Sequence, residues 1–507
     1  MEDLRQPETT PSDKGAAELA FAHADAETGG LSGLSAWFGG RKTKVGPRIA
    51  PRIEGVGEHS DSEDSADAIL GKQLAEEDGH AIKYRTCSWQ KTAGLLFSEY
   101  ICLAIMSFPW SYSILGLVPG LILTAVIALI VLYTSLVLWQ FCLRHPEVRD
   151  VCDIGQMLFW GKKWAWYATA VMFILNNTAL HVLVGAKYLN TMTESDPVVC
   201  RTVVFSIVVT IICWVSSLPR TFDALSKAGT ASAAFTFISV LLAAIFAGVQ
   251  LHPAGYDPRS SYVDKNGVTQ VGGNPIVTAL PLASTTFVSG MNAFLNISYT
   301  FIGQITLPSF IAEMKDPRDF PKALWAVTIG EIIVFSIVGA VVYAYVGNQY
   351  MTAPAFGSLE EVYKKVAFSF MIPTLIFLGV LYASVSARFL FFRFFKGTKH
   401  LHEHTIIGWG SWATILLLSL MSSLFDSFFG FIFWGVAYFR MRSADNRAGV
   451  PKQNKFVDWA SMGLNVIIIL TGVLFLTAGT YASVEGIIEE FRAGTVGKPF
   501  GCASNGL

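Results

Sequence analysis

Apolar and polar positions divide this chain at about residue 88. Before it the sequence has no sustained apolar run; from about 93 to 480 long apolar runs follow one another across short polar turns. Runs of 18 or more such residues, coiled as helices, cross a hydrocarbon core about 30 Å thick. The pattern predicts eleven spans: 93–115, 117–141, 165–189, 198–217, 230–250, 282–311, 323–346, 367–391, 405–424, 427–441 and 458–479. The stretch 405–441 is divided because one helix of that length would reach ~55 Å; a turn at Asp426 is expected instead.

Composition agrees with this reading. The 507 residues are 52% hydrophobic and 15% charged, against roughly 25% charged in average soluble domains. The net charge of −1 carries no information about partners, and nothing suggests nucleic acid. The placement of charge does carry information. Eighteen Lys and Arg fall in the loops on the side of the N-terminal tail, and eight fall on the other side. By the positive-inside rule the N-terminus is expected in the cytosol and the C-terminus outside. No apolar signal-peptide core lies near the start, so the first span is expected to direct insertion.

Six regions follow from these boundaries: a tail (1–88), a first five-helix unit (89–250), an outer loop (251–281), a second unit (282–441), a loop with the eleventh span (442–480) and an outer C-terminal tail (481–507). The tail is rich in Gly, Ala, Ser, Asp and Glu, and disorder is expected. Ser60, Ser62 and Ser65 stand among acids and suit an acidophilic kinase; Lys72 and Lys83 are candidate ubiquitin sites. The seven cysteines form no metal-binding spacing. Cys200 and Cys502 fall on the outer side, where pairing is possible.

Two spans carry interruptions. The first reads EYICLAIMSFPWSYSILG (99–116), and Pro109 is expected to unwind the backbone around Ser107–Pro109. The sixth holds Asn292, Asn296, Ser298, Tyr299, Gly303 and Gln304, followed by Pro308. Irregular backbone inside a bilayer is tolerated where it lines a cavity or packs within protein. The two interrupted spans stand five apart, so they enter the membrane in opposite senses. Interruptions placed that way point to the binding site of a secondary transporter.

These residues carry a resemblance. EMKDPRDFPKAL (313–324), SFPWSY (107–112) and HPEVRDVCDIGQMLFW (145–160) resemble motifs of the amino acid/auxin permease family. The acidic tail and first-span glutamate are similar to the fungal neutral amino acid permeases of the methyltryptophan-resistance type. The resemblance spans about 85–500. It implies an all-α polytopic fold like that of the bacterial leucine transporter: a 5+5 inverted repeat with broken helices 1 and 6, plus an eleventh span. It also implies amino acid uptake coupled to protons or sodium. Ala104, Ile105 and Met106 replace the small glycines usual before the first break, which bears on substrate size.

Candidate residues follow. Ser107 and Phe108 lie at the first break, and Asn296, Ser298 and Tyr299 at the second. Asn177 and His181 share a face of the third span at i, i+4 and read either as substrate ligands or as interhelical hydrogen bonders. An acid within a span defaults to a functional expectation, here carriage of the coupled proton by Glu99. Glu331 on the seventh span reads as a relay partner or a polar helix contact. Lys227 reads as a sodium mimic or as an interfacial anchor, and Ser384 as an ion-site hydroxyl or a packing residue. No hydrolase or metalloprotease motif occurs in the loops, and no filter-like repeat suggests a channel. The expected function is proton-coupled symport of neutral, aliphatic and aromatic amino acids across the plasma membrane, with no cofactor. Sodium coupling, a vacuolar location and an amino acid sensor are the alternatives.

Overall fold

The computed structural model describes residues 35–40, 43, 45–49, 70–71, 75, 80–176, 179–193, 201–259, 261–263, 269–271, 273–395, 397–418, 428–450 and 455–492. Asn177, Ser60, Ser62, Ser65, Lys72, Cys200, Asp426 and Cys502 lie outside these residues, as does the side chain of His181.

Among the described residues the regular structure is helical apart from one short hairpin. In chain order the helices are α1 (Ser35–Phe38), α2 (Trp89–Tyr100), α3 (Phe108–Leu115), α4 (Leu117–Arg144), α5 (Val151–Leu158), α6 (Lys163–Asn176), α7 (Ala179–Met192), α8 (Arg201–Ser216) and α9 (Phe222–Val249). They continue as α10 (Phe287–Thr300), α11 (Leu307–Glu313), α12 (Phe320–Val346), α13 (Glu361–Ser369), α14 (Ile372–Phe394), α15 (Ile406–Leu418), α16 (Phe433–Arg447), α17 (Lys455–Leu474) and α18 (Thr480–Arg492). The hairpin pairs Ser261–Val263 with Thr269–Val271, antiparallel, within the long loop before α10. Among the described residues six helical stretches are individually long and apolar enough to span a bilayer.

Three boundaries differ from the hydrophobic pattern. Helix α9 starts at Phe222, well before residue 230, because Thr221 caps it by accepting the Ala224 amide. The last span continues through a π-helical stretch (Phe475–Gly479) into α18, so helix reaches Arg492 where an outer tail was expected. The first break also sits earlier than Pro109 implies. Helix α2 ends at Tyr100, Ile101 and Cys102 leave helical geometry, and a 3₁₀ turn over Leu103–Ser107 leads into α3. Pro109 stands in the first turn of α3, where a missing amide hydrogen costs nothing. The unwinding is therefore pushed towards the tail side of the proline.

Short described pieces of the tail, which is expected to be mostly disordered, pack against the bundle. Arg48 pairs with Glu147, and the Ile49 amide donates to His145 Nε2 at 3.0 Å. Burial lowers the His145 pKa, in keeping with an unprotonated Nε2 as acceptor. Further on, the Ile82 amide donates to the His402 carbonyl, and Cys87 forms a bridge with Met314.

Candidate functional site

The two breaks meet. Asn296 on α10 donates its Nδ2 to the Ser107 carbonyl (3.2 Å) and to Ser111 Oγ (2.8 Å). One amide thus holds α10 against the entry of α3. Phe108 is fully buried and packs against Phe335 (4.8 Å between ring centroids) and Phe301 (6.0 Å). An aromatic wall therefore backs the same junction.

The second break runs from Phe301 to Thr306, between α10 and α11. It passes close to the first. A Cβ on Gly303 would come within 2.6 Å of the Tyr100 ring, so glycine permits this approach. Thr306 places its hydroxyl 2.8 and 3.0 Å from the two carboxylate oxygens of Glu99 and 2.8 Å from the Gly303 carbonyl. Tyr382 of α14 also hydrogen-bonds Glu99. Glu331 of α12 is buried and close enough to Glu99 for the two carboxyls to interact electrostatically. Glu331 Oε1, Gln304 Oε1 and Ser384 Oγ are buried with no hydrogen-bond partner among the described residues. Gln304 Nε2 donates to Thr134 Oγ1 at 3.0 Å.

Of the sequence candidates, Ser107, Phe108 and Asn296 come together at the junction, with Glu99 and Glu331 at an adjoining carboxyl pair. Ser298 is buried but donates back to the Phe294 carbonyl of its own helix. Tyr299 turns its ring towards Phe475, 6.4 Å away. Lys227 is exposed on α9.

Sequence reasoning missed Ser111, Thr306, Tyr382 and a hydroxyl ladder. Ser98 donates to Ser232 (2.9 Å), and Ser232 donates to Thr374 (3.0 Å), which also meets Thr236. This ladder joins α2, α9 and α14. Isolated hydroxyls in apolar runs give no signal of their own. Only the third dimension shows that they align.

A second polar cluster closes the tail end of the bundle. Buried Arg388 of α14 pairs with Glu313 at the end of α11, donates to the Arg220 carbonyl and lies 3.8 Å over the Phe222 ring. Glu313 Oε2 in turn accepts the Phe222 amide at 3.0 Å. Beside it, Asp150 caps α5 by accepting the amides of Cys152 (2.9 Å) and Asp153 (3.0 Å). Arg393 pairs with Asp153, stands 3.9 Å from Asp150 and stacks 4.2 Å over Trp166. Burial, and then the neighbouring Asp153, push Asp150 up to about 7.

Residues 85–485 match the family described as transmembrane amino acid transporter proteins. An "N amino acid transport system protein" of Neurospora crassa is 29% identical over 86% of this chain and 92% of its own length. A "transmembrane transporter" of Gibberella moniliformis is 28% identical over 86% and 91%, and one of Fusarium pseudograminearum 27% over 86% and 90%. A solved structure of a Na+-coupled sialic acid symporter, substrate-bound and outward-open, is similar at TM-score 0.43 and 12% identity over 80% of this chain and 81% of that one. Because the family match covers residues 85–485, and with helices long and apolar enough to cross a bilayer, the chain belongs to the transmembrane amino acid transporter family, the amino acid/auxin permeases.

Proposed function

We propose that this protein is a secondary active, proton-coupled symporter of neutral amino acids, of the fungal methyltryptophan-resistance type. It works by alternating access in the plasma membrane, with the N-terminus in the cytosol and the C-terminus outside. The fold is read as two inverted five-helix repeats with an eleventh span. The substrate's carboxylate faces the amino-terminal turn of α3 at Ser107–Phe108, where helix-end amides favour an anion. Asn296 reads the same junction from the opposite span.

The observation that carries the proton-coupled reading is the Glu99–Thr306 contact. Thr306 has one hydroxyl proton and two acceptors in range, the Glu99 carboxylate and the Gly303 carbonyl. With Glu99 ionised, the hydroxyl turns to the carboxylate. With Glu99 protonated, the acid donates to Thr306, and Thr306 is free to hold Gly303. Protonation thus changes how the second break is fastened. Tyr382 ties the same carboxyl to α14, and Glu331 offers the proton a second seat. Asn177, His181, Ser298, Tyr299 and Ser384 remain candidates for the substrate and ion path.

The energetics suffice. One pH unit supplies ~1.4 kcal/mol and ~100 mV adds ~2.3 kcal/mol per charge, together enough for a gradient of roughly 500-fold for one proton per neutral substrate. The test is uptake of labelled neutral amino acids into sodium-free proteoliposomes, with and without an acid-outside gradient. Accumulation abolished by a protonophore is expected. Uptake that requires sodium and ignores pH would favour the sodium-coupled reading.

A further inference from the structure

The turn between α5 and α6, at the tail end of the bundle, breaks a local rule. Helix α5 closes with the Gly161 amide donating to the Gln156 carbonyl at 2.8 Å, a bond that ends a helix through one left-handed residue. That residue is Trp160, at φ +58°. Glycine, which takes this conformation without strain, stands one place later. Among the described residues Trp160 is the one non-glycine with a positive φ. The strain does not serve burial, because Trp160 is 64% exposed. Arg440 of α16 supports the ring from one side: its guanidinium lies 5.8 Å from the ring centre and donates to the Met157 carbonyl at 3.4 Å. Strain that keeps an aromatic side chain at the surface points to something the ring meets outside the chain.

What lies outside follows from α6. Trp164, Tyr167 and Val171 are all more than half exposed and share one face at i, i+3 and i+7. Trp166 turns the other way and stacks on Phe389 at 5.5 Å. Helix α6 opens the third span read from the sequence, so the outward stripe faces lipid and its aromatic end marks the tail-side interface. Lys162 and Lys163 stand between Trp160 and Trp164, and both are exposed. Neither has a carboxylate partner among the described residues. The acids of this corner, Asp150 and Asp153, face Arg393 instead. Two ammonium groups among exposed indoles, at the level of the headgroups, complement an anionic headgroup whose glycerol and upper acyl chains lie against the rings.

We infer that Trp160, Lys162, Lys163 and Trp164 form a site for an anionic phospholipid of the tail-side leaflet, and that Trp160 holds its strained backbone for that contact. The inference rests on the chain spanning a bilayer and is independent of substrate and coupling ion. The full-length protein, with Trp164 replaced by p-benzoylphenylalanine, is placed in phosphatidylcholine vesicles containing a minority of phosphatidylserine and illuminated. Ile333, more than half exposed on α12, is replaced by the same residue as a lipid-facing control. Position 164 is expected to label phosphatidylserine several-fold over its share, while position 333 labels in proportion to the mixture. Lys162→Gln with Lys163→Gln should keep lipid labelling at 164 and remove the enrichment. Labelling at 164 in proportion to the mixture, or enrichment that survives both Gln substitutions, would overturn the site. Melting in detergent tests the role of Trp160. Trp160→Gly should melt no lower than wild type, since it relieves the left-handed strain. Added phosphatidylserine should raise the melting temperature of wild type well above the rise in Trp160→Gly. A Trp160→Gly protein several degrees less stable in detergent alone, or one stabilised by phosphatidylserine as much as wild type, would overturn that role. Inorganic phosphate should not replace the lipid; equal stabilisation by phosphate alone would overturn a lipid as the occupant.

Discussion

Thr306, in the break between α10 and α11, holds its hydroxyl 2.8 and 3.0 Å from the carboxylate oxygens of Glu99 at the end of α2. The two residues are 207 positions apart in sequence. Their contact joins the two helix breaks through a carboxyl group. Fixing an acid there makes sense if its protonation is read, through the Thr306 hydroxyl, by the backbone at Gly303.

Thr306→Val keeps the shape of the side chain and removes the hydroxyl. It is expected to leave substrate exchange within a fewfold of wild type and to collapse pH-driven accumulation. Thr306→Ser should restore most of it. Equal loss of exchange and accumulation in Val, with no rescue by Ser, would make Thr306 a packing residue. Counterflow and net uptake in the same proteoliposomes separate the cases.

Asn296→Ala removes the bridge to Ser107 and Ser111. Leaving buried polar partners unsatisfied costs about 1–3 kcal/mol, and thermal unfolding in detergent should register it. Apparent substrate affinity should fall as well, because Asn296 stands at the junction proposed for the substrate. An unchanged affinity in folded protein would place the substrate elsewhere.

Much of this arrangement was legible in the sequence, for definite reasons. Apolar runs marked where helices lie, because a bilayer demands continuous internal hydrogen bonding. The polar content of the sixth span led to Asn296. The first break was displaced because Pro109 initiates α3 instead of ending α2. Thr306 and Tyr382 were invisible, since a hydroxyl in an apolar run looks the same whether it packs or works. The docking of Trp37 on Tyr133 and of Phe38 on Trp325 was hidden by a composition that reads as disordered, where two aromatics suffice to seat a segment on helices already folded.

Arg388→Ala should be the most damaging substitution at the tail end of the bundle. It strands buried Glu313, and unpairing a buried charge costs about 3–5 kcal/mol. Arg388→Lys is expected to rescue poorly, because an ammonium cannot both reach the Arg220 carbonyl and spread over the Phe222 ring. Glu313→Gln still accepts the Phe222 amide but leaves the buried Arg388 guanidinium without its counter-charge, so it should also destabilise, by an amount of the same order. Thermal stability of the three variants measures these losses.

The Asp150 cluster makes a prediction about pH. Its carboxyl, raised to about 7 in the folded protein, stands near 3.9 when unfolded. A raised folded-state pKa gives stability that is complete below the unfolded value and lost as pH rises through the folded one. Stability should therefore decline between about pH 4 and 7, by up to ~1.4 kcal/mol per pH unit for one proton. Asp150→Asn retains an oxygen for the Cys152 and Asp153 amides and should flatten that decline. An identical pH profile in the variant would refute the assignment.

The most direct measurement is proton movement itself. Substrate is added to proteoliposomes holding a trapped pH dye, and wild type is compared with Glu99→Gln. Wild type should acidify the lumen as neutral amino acid enters. Glu99→Gln should exchange labelled substrate with no proton signal. A proton influx that survives in Glu99→Gln would contradict the account and move the coupling site away from the Glu99–Thr306 contact.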